Sequence, residues 1–225
     1  MTKPVELVVF DCDGVLVDSE PLSAAAHQAV YERHGHKLDL GLMYSCIGMK
    51  QRDILDKIMK ATGFLLPDHA IPEIWQEAEK SIRAGLNPTP GIGAFLERLG
   101  GKMCVASSST PERITLSLQQ AGLYQRFDPH RIFSTTMVKH GKPAPDLFLF
   151  AAEKCGVGTD KAVVIEDSPY GVKGAVAAGM PAFGYLGGSH SHANHQPQLM
   201  AAGAVACFAD WAEFPALAAC HGLTL

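Results

Sequence analysis

Short apolar runs and segments with helical periodicity alternate along most of this 225-residue chain. The apolar run at residues 5–10 predicts a buried strand near the amino terminus. Further strands are predicted at residues 103–106, 131–134, 162–165, 181–185 and 204–208, and helices at 92–99, 111–121, 145–155, 170–178 and 211–219. Strands that alternate with helices predict an α/β fold with a doubly wound parallel sheet, whose site lies beyond the carboxyl ends of the strands.

Between the first strand and residue 90 the pattern predicts helices only. Segments 20–34, 52–61 and 72–84 have apolar residues at helical spacing and are separated by glycine or proline. Segment 86–91 contains two prolines and a glycine, which excludes helix and predicts a hinge. We therefore expect a core of residues 1–16 and 90–225, interrupted by a helical domain of residues 17–89 with hinge linkers.

The composition is that of an ordinary globular protein, with 47% hydrophobic and 19% charged residues. The net charge of −4 and the lack of a basic block give no support for binding to nucleic acid or to a membrane surface. No run reaches the roughly 18 apolar residues of a membrane span. Because the six cysteines lack paired or secreted-type spacing, we expect reduced thiols in a reducing compartment. We also expect a cytoplasmic location and a monomer.

Two carboxylates, Asp11 and Asp13, come directly after the first predicted strand. Alternate residues of extended chain point to the same side, so both acids would face one site while Cys12 packs in the core. Gly14 then allows a sharp turn, and a simple strand-ending turn would also explain this string. Alternatively, the two acids suit covalent catalysis on phosphorus, with a metal ion reducing their repulsion.

The second core strand is followed by three serines and a threonine before a proline-initiated helix. Free backbone amides and the helix dipole favour an anion at such a position. Ser107 is the first hydroxyl after the strand, whereas Ser109 or Thr110 is expected to act as the N-cap ahead of Pro111.

Two further segments place charged residues beside predicted helix starts. Lys142 stands between a short strand and a helix, where it is either a solvated surface lysine or a positioned cation. Glu166 and Asp167 directly follow a predicted strand. They are either a charge pair at a helix start or hard oxygen ligands for Mg²⁺.

Together these segments resemble the motifs of the haloacid dehalogenase superfamily of phosphatases and phosphomutases. Residues 11–19 match its first motif, D-x-D-G-[TV]-[LI]-[VIL]-D-[ST], throughout. Ser107 matches the family's second motif, and the Lys-Pro-x-Pro-Asp string that begins at Lys142 resembles the third. Glu166 and Asp167 resemble the fourth. The resemblance covers residues 1–16 and about 90–225, while the helical insert resembles the family's small cap in position and size only.

The resemblance implies a Rossmann-like core with a helical cap, and a Mg²⁺-dependent phosphatase that acts on a small phosphorylated metabolite, a sugar or sugar-acid phosphate. Asp11 would be the nucleophile that forms an aspartyl-phosphate, and Asp13 would protonate the leaving oxygen and later activate water. The remaining implied roles are phosphoryl binding by Ser107, Ser108 and Lys142, and metal binding by Asp11, Asp13, Glu166 and Asp167.

Substrate choice in this family lies with the cap. In the glycine-initiated loop, Lys50, Gln51 and Arg52 would either face the leaving group or form a solvated surface. An inward Lys50 or Arg52 would favour an anionic or hydroxyl-rich leaving group. Gln51 and Ser23 stand where β-phosphoglucomutases carry arginine and histidine, so hydrolysis leads over a mutase reaction or a non-catalytic binding protein.

Three histidines, His190, His192 and His195, lie close together near the carboxyl terminus and suggest a transition-metal site. With no cysteine nearby and no helical histidine spacing, we expect instead a solvated loop near the rim of the active site. His27, on the first predicted helix of the insert, is expected to pack rather than to take part in catalysis.

Overall fold

The computed structural model describes residues 3–99 and 103–225; the first two residues of the predicted core lie outside this part. Its central feature is a six-stranded sheet in which all strands are parallel and the order is β4-β3-β2-β5-β6-β7. The strands, with the short flanking pair β1 and β8, are β1 (Lys3–Pro4), β2 (Leu7–Phe10), β3 (Met103–Ser107), β4 (Ile132–Ser134), β5 (Ala162–Glu166), β6 (Ala182–Tyr185), β7 (Ala206–Phe208) and β8 (Leu223–Thr224). Because β2 lies in the middle and later strands add on both of its sides, the predicted doubly wound parallel sheet is confirmed.

The described helices fall into two groups, one inserted after β2 and one alternating with the later strands. The inserted helices are α1 (Glu20–Arg33), α2 (Leu40–Tyr44), α3 (Gln51–Thr62) and α4 (Ile71–Gly85). The others are α5 (Ile92–Leu99), α6 (Pro111–Gln120), α7 (Asp146–Cys155), α8 (Pro169–Ala177), α9 (His195–Ala202) and α10 (Phe214–Cys220). None of these helices is long and apolar enough to span a membrane.

Strand β2 is apolar at every position because both of its faces are covered. Val8 and Phe10 belong to one hydrophobic cluster, whereas Leu7 and Val9 belong to a second cluster on the opposite face. A central strand of a parallel sheet that is covered on both faces reads as a continuous apolar run. The inserted helices have a third hydrophobic cluster of their own.

Two chain connections run side by side between the sheet and the inserted helices. The Asp18 amide donates to the Asn87 carbonyl, and the Thr89 amide donates to the Leu16 carbonyl, both at 3.0 Å. The Thr89 hydroxyl adds a 2.6 Å hydrogen bond to the Val15 carbonyl. The domain limits at 16/17 and 89/90 stay a prediction, and they fall at this paired crossing.

Several short elements differ from the predicted ones. The first core strand begins at Leu7, since the amides of Val5 and Glu6 bond to Thr224 and Lys161, outside the six-stranded sheet. Helices α2 and α9 were not predicted, nor were the two-residue strands β1 and β8. All six cysteines lie among the described residues and none is in a disulfide.

Candidate active site

The carboxyl ends of the three central strands bring the predicted site residues together. Asp11 and Asp13 follow β2, Ser107 ends β3, and Asp167 follows β5. These side chains are nearly or completely buried. Lys142, from the segment before α7, reaches the same place and is also buried.

Lys142 connects two of the carboxylates. Its Nζ donates to Asp11 Oδ1 at 2.8 Å and to Glu166 Oε1 at 2.5 Å. Burial would lower the pKa of Lys142, but the charges of Asp11 and Glu166 outweigh burial and raise it. The ammonium is therefore held charged beside Asp11. This contact excludes the solvated surface alternative for Lys142.

The surroundings of Asp11 nevertheless disfavour its negatively charged form. Burial raises the pKa of Asp11 to about 7; the Lys142 ammonium opposes the shift, and the charges of Glu166 and Asp13 add to it. The group is short of positive charge, which a bound divalent cation would supply.

Asp13 is held by a separate set of donors. Its Oδ1 accepts from the Ser19 hydroxyl at 2.6 Å and from Arg113 Nη2 at 3.0 Å, and its Oδ2 accepts from the Ser109 hydroxyl at 2.7 Å. Burial would raise the pKa of Asp13, but the Arg113 charge and these hydrogen bonds lower it. Of the two predicted N-cap candidates, Thr110 caps α6, whereas the Ser109 hydroxyl points to Asp13.

The two serines predicted to bind phosphate differ in their surroundings. The Ser107 hydroxyl is buried 3.4 Å from Asp13 Oδ2 and accepts from the Ser109 amide at 3.1 Å. The Ser108 hydroxyl donates to the Gly48 carbonyl at 2.9 Å, so it joins the core to the loop of the insert. Both residues line a cavity between the strand ends and the inserted helices. Their roles toward phosphate stay predictions.

A divalent cation fits the three carboxylates of Asp11, Glu166 and Asp167. Each offers an oxygen within 4.8 Å of the others. Glu166 Oε1 is engaged by Lys142, and its Oε2 accepts from the amide and hydroxyl of Ser168 at 3.1 and 3.0 Å. Both carboxylate oxygens of Asp167 are buried without a hydrogen-bond partner among the described residues. Burial raises the pKa of Asp167, so this carboxylate gains most from a cation.

A cavity of about 450 Å³ lies between these strand ends and the inserted helices. Asp11 and Asp13 line its floor. The wall contributed by the insert is largely apolar and includes Ile47, Met49, Ile54, Ile74, Trp75 and Ala78. A leaving group would therefore meet an apolar wall opposite a polar floor.

Of the three cap residues proposed from the sequence, the structure brings one to the cavity. Gln51 lines it, and its Nε2 lies 3.3 Å from His27 Nε2. Lys50 and Arg52 are not among the described residues that line it, and Lys50 instead lies against Gly141. The structure thus gives no inward Lys50 or Arg52 to attract an anionic leaving group.

His27 and Ser23 complete this part of the cavity. The His27 ring is buried, and its Nδ1 donates to the Ser23 carbonyl at 2.8 Å, which leaves Nε2 to accept from Gln51. Burial lowers the pKa of His27, so the ring is neutral. Ser23 itself lines the cavity.

The sequence analysis missed Arg113 and Glu20, two of the charged residues that line the cavity. Arg113 lies on α6 and pairs with Asp13, and Glu20 begins α1; both line the cavity. Burial, followed by the charges of Asp167 and Asp13, raises the pKa of Glu20 to about 8. Glu20 directly follows the first motif and could have been considered. Arg113 has no comparable signal.

The expectation of a solvated histidine loop is wrong for two of its three histidines. His190 and His195 are buried, and only His192 is exposed. His195 Nε2 lies 2.5 Å from the Asp167 carbonyl, and His190 Nε2 lies 3.0 Å from Asp167 Oδ2. The loop folds against Asp167, so its position near the active site was predicted correctly and its solvation was not.

Residues 5–179 match the family model of haloacid dehalogenase-like hydrolases. The chain belongs to this family, as its motifs indicated. It is 34% identical over 206 residues to a phosphorylated carbohydrates phosphatase of Thermotoga maritima, covering 90% of this chain and 93% of that one. It is 28% identical over 189 residues to the 6-phosphogluconate phosphatase of Escherichia coli, covering 83% and 85%. These relatives support the predicted phosphoric monoester hydrolase.

Solved structures of the same family have the same fold. A conserved haloacid dehalogenase-like protein of unknown function from Agrobacterium tumefaciens matches with a TM-score of 0.84 and 31% identity, over 96% of this chain and 99% of that one. A putative β-phosphoglucomutase from Thermotoga maritima matches with a TM-score of 0.71 and 28% identity, over 96% and 97%.

Proposed function

We propose that this protein is a Mg²⁺-dependent phosphatase that hydrolyses a small phosphorylated metabolite through an aspartyl-phosphate intermediate. The observation that supports it best is the buried group of Asp11, Lys142 and Glu166 beside Asp167, at the floor of a cavity that Asp13 also lines. A nucleophilic carboxylate, a fixed cation and oxygen ligands for a metal stand together there. This combination suits phosphoryl transfer through a covalent intermediate.

Asp11 attacks phosphorus, a new bond forms between its carboxylate oxygen and phosphorus, and the bond from phosphorus to the leaving oxygen breaks. Asp13 gives its proton to that oxygen, so the leaving group departs as an alcohol. Arg113 holds Asp13 ionised in the free protein, and an approaching phosphoryl dianion raises its proton affinity again. Asp13 then takes a proton from water, which attacks phosphorus and releases phosphate and Asp11.

The fixed positive charges of the chain stabilise the transferred group. Lys142 is held beside Asp11 without freedom to rotate away, so it needs little reorganisation when charge develops on the phosphoryl oxygens. Ser107 and Ser108 would donate to the same oxygens. Bound Mg²⁺, held by Asp11 and Asp167 with Glu166 and the Asp13 carbonyl, would neutralise charge on the phosphoryl group and the nucleophile.

The leaving group is proposed to be a sugar or a sugar acid. Two relatives are phosphatases of phosphorylated carbohydrates and of 6-phosphogluconate. The cavity has room for such a group, with an apolar wall that includes Trp75 and polar side chains from Gln51, Glu20 and Arg113. A sugar ring presents an apolar face and hydroxyls together, which suits this mixture. A cytoplasmic location and a monomeric state stay predictions.

A mutase reaction is the second candidate, because one solved relative is a putative β-phosphoglucomutase. Gln51 and Ser23 line the cavity, and the resemblance of the sequence implies that they stand where mutases of that type carry arginine and histidine. Without those groups the cavity has less means to hold a bisphosphate for a second transfer. Hydrolysis is therefore favoured over a mutase reaction. It is also favoured over a non-catalytic binding role, because a binding protein would not need an intact set of catalytic groups.

The direct test is phosphate release from a panel of sugar phosphates, sugar-acid phosphates, phosphoglycolate and nucleotides, with Mg²⁺ or with EDTA. We expect Mg²⁺-dependent release that is lost in Asp11→Asn. Isomerised sugar phosphate without free phosphate would favour the mutase. Tight binding of one phosphorylated ligand without turnover would favour a binding protein.

A further inference from the structure

His190 is a buried polar residue that the proposed reaction does not use. It lies in the loop between β6 and α9, and its ring is 1% exposed. Its Nε2 lies 3.0 Å from Asp167 Oδ2, a carboxylate that is itself completely buried. At this distance the two atoms are in contact, but their alignment is not that of a hydrogen bond, so each lacks a hydrogen-bond partner among the described residues.

The chain around His190 leaves a slot for its ring. A Cβ atom on Gly14 would lie 1.9 Å from Asp167 Oδ2 and 3.0 Å from His190 Cε1. A Cβ atom on Gly188 would lie 2.6 Å from His190 Cε1 and 2.8 Å from its Nδ1. Side chains at either position would displace the imidazole or the carboxylate. The two glycines therefore permit the close approach of His190 to Asp167.

A second histidine holds the backbone of the same aspartate. The Asp167 carbonyl can only accept, so His195 carries its proton on Nε2 and donates to that carbonyl at 2.5 Å. His195 Nδ1 then accepts from the Ser191 hydroxyl at 2.9 Å. The loop thus contacts Asp167 at its main chain through His195 and at its side chain through His190.

Asp167 Oδ1 stays free for a cation while His190 faces Oδ2. His190 is outside the group of carboxylates, Asp11, Glu166 and Asp167, whose oxygens can converge on one ion. The ring carries a proton on Nε2 in its charged form and in one of its two neutral tautomers, so it can donate from that atom. A rotation of the ring or of the carboxylate would align that donor with Oδ2. A second partner of this kind orients a metal ligand and raises its affinity for the ion.

We propose that His190 is a positioning residue for the metal site: it donates from Nε2 to Asp167 Oδ2 and thereby presents Oδ1 to the divalent cation. The inference rests on the proposed metal site. It predicts that the cation binds less tightly when the donor at Nε2 is lost, even in the absence of substrate. It also predicts that the imidazole itself does not bind the ion.

Metal affinity measured without substrate tests this proposal. Mn²⁺ would be titrated into the full-length protein and followed by electron paramagnetic resonance of the free ion, with Mg²⁺ binding followed by calorimetry. His190→Leu should weaken binding about 10- to 100-fold, the usual effect of removing an outer partner of a ligand. His190→Gln, whose amide can place a donor near the position of Nε2, should retain most of the affinity.

Two controls separate this role from a loss of folding. His192→Ala changes the exposed histidine of the same loop and should bind Mn²⁺ as the wild type does. Circular dichroism and thermal melting in EDTA should show that each variant is folded. If His190→Leu is unfolded, the comparison of His190→Gln with the wild type still decides: a large loss of affinity in that folded variant would overturn the proposal.

Other outcomes also decide. Equal affinity of folded His190→Leu and the wild type would overturn the proposal while leaving the metal site intact. A wild-type protein that binds neither ion would instead remove the proposed metal site and the inference with it. Strong nitrogen coupling in the electron spin-echo spectrum of bound Mn²⁺, lost in His190→Leu, would show direct ligation and so contradict the outer role.

Discussion

Replacing Asp11 by Asn tests the electrostatic cost that the site imposes on its own nucleophile. Burial raises the pKa of Asp11 from its ordinary 3.8 to about 7, even though Lys142 opposes the shift. Over the interval between these two values, the folded protein retains a proton that the unfolded chain releases. The stability contributed by this proton is fully present below the lower value and is lost as the pH rises through the upper one.

The size of the effect follows from the two pKa values. Between about pH 5 and about pH 9, this one carboxyl should cost the metal-free wild type about 3 kcal/mol of unfolding free energy. Asn has almost the same shape as Asp and has no charge to bury. Asp11→Asn should therefore gain about 3 kcal/mol over the wild type across the same interval, while its turnover is lost.

Urea unfolding in EDTA at these two pH values, followed by circular dichroism, measures the difference. Asp56→Asn, which neutralises an exposed carboxylate on α3, is the matched control and should follow the wild type. Saturating Mg²⁺ should reduce the advantage of Asp11→Asn, because a cation bound only to the folded wild type stabilises it. A stability difference that does not change with pH would refute the reasoning about burial.

Three further substitutions test other parts of the site. Lys142→Met leaves Asp11 and Glu166 without their buried cation, so urea unfolding should show a loss of about 3 to 5 kcal/mol together with lost activity; unchanged stability would contradict the buried pairing. Arg113→Gln should raise the pKa of Asp13 and move the acidic limb of the pH–kcat profile to higher pH; an unmoved limb would contradict the pairing. Gln51→Arg should improve kcat/KM for 6-phosphogluconate relative to glucose 6-phosphate by about three- to tenfold, as expected for about 1 kcal/mol from a partly exposed ion pair. No change in this ratio would place residue 51 away from the leaving group.

The sheet was predictable because its strands are buried on both faces. Continuous apolar runs such as residues 7–10, each followed by a helix with a proline or glycine boundary, contain the information locally. The elements that were missed are short: α9 has eight residues, α2 has five, and β1 and β8 have two each. Such segments carry no periodicity, and tertiary contacts decide their structure.

The site was predictable where chemistry directly follows a strand. Asp11 and Glu166 lie at strand ends, so the topology of the sheet brings them together. Arg113 is separated from Asp13 by 100 positions, and nothing local distinguishes it from a solvated helix residue. His190 was misjudged for a related reason, since its burial depends on the distant Gly14 as well as on the neighbouring Gly188.

The same limit explains why the sequence did not give the contacts of Ser109 or the direction of loop residues 50–52. Ser109 has the residue type and position of an N-cap, but its hydroxyl donates to the Asp13 carboxylate instead of accepting from a helix amide. A hydrogen bond to a charged carboxylate is stronger than one between neutral groups. Successive side chains of loop residues 50–52 point in different directions, so the sequence alone could not decide which of them faces the cavity. Only Gln51 does.

The central claim is that a phosphoryl group is transferred to Asp11. The most direct measurement is rapid quenching during turnover, reduction of the acyl phosphate with borohydride, and mass spectrometry of the peptide that contains residue 11. We expect homoserine at position 11 in the wild type when Mg²⁺ and substrate are both present, and none with EDTA. Conversion at Asp13 instead, or sustained phosphate release without any modified aspartate, would contradict the account.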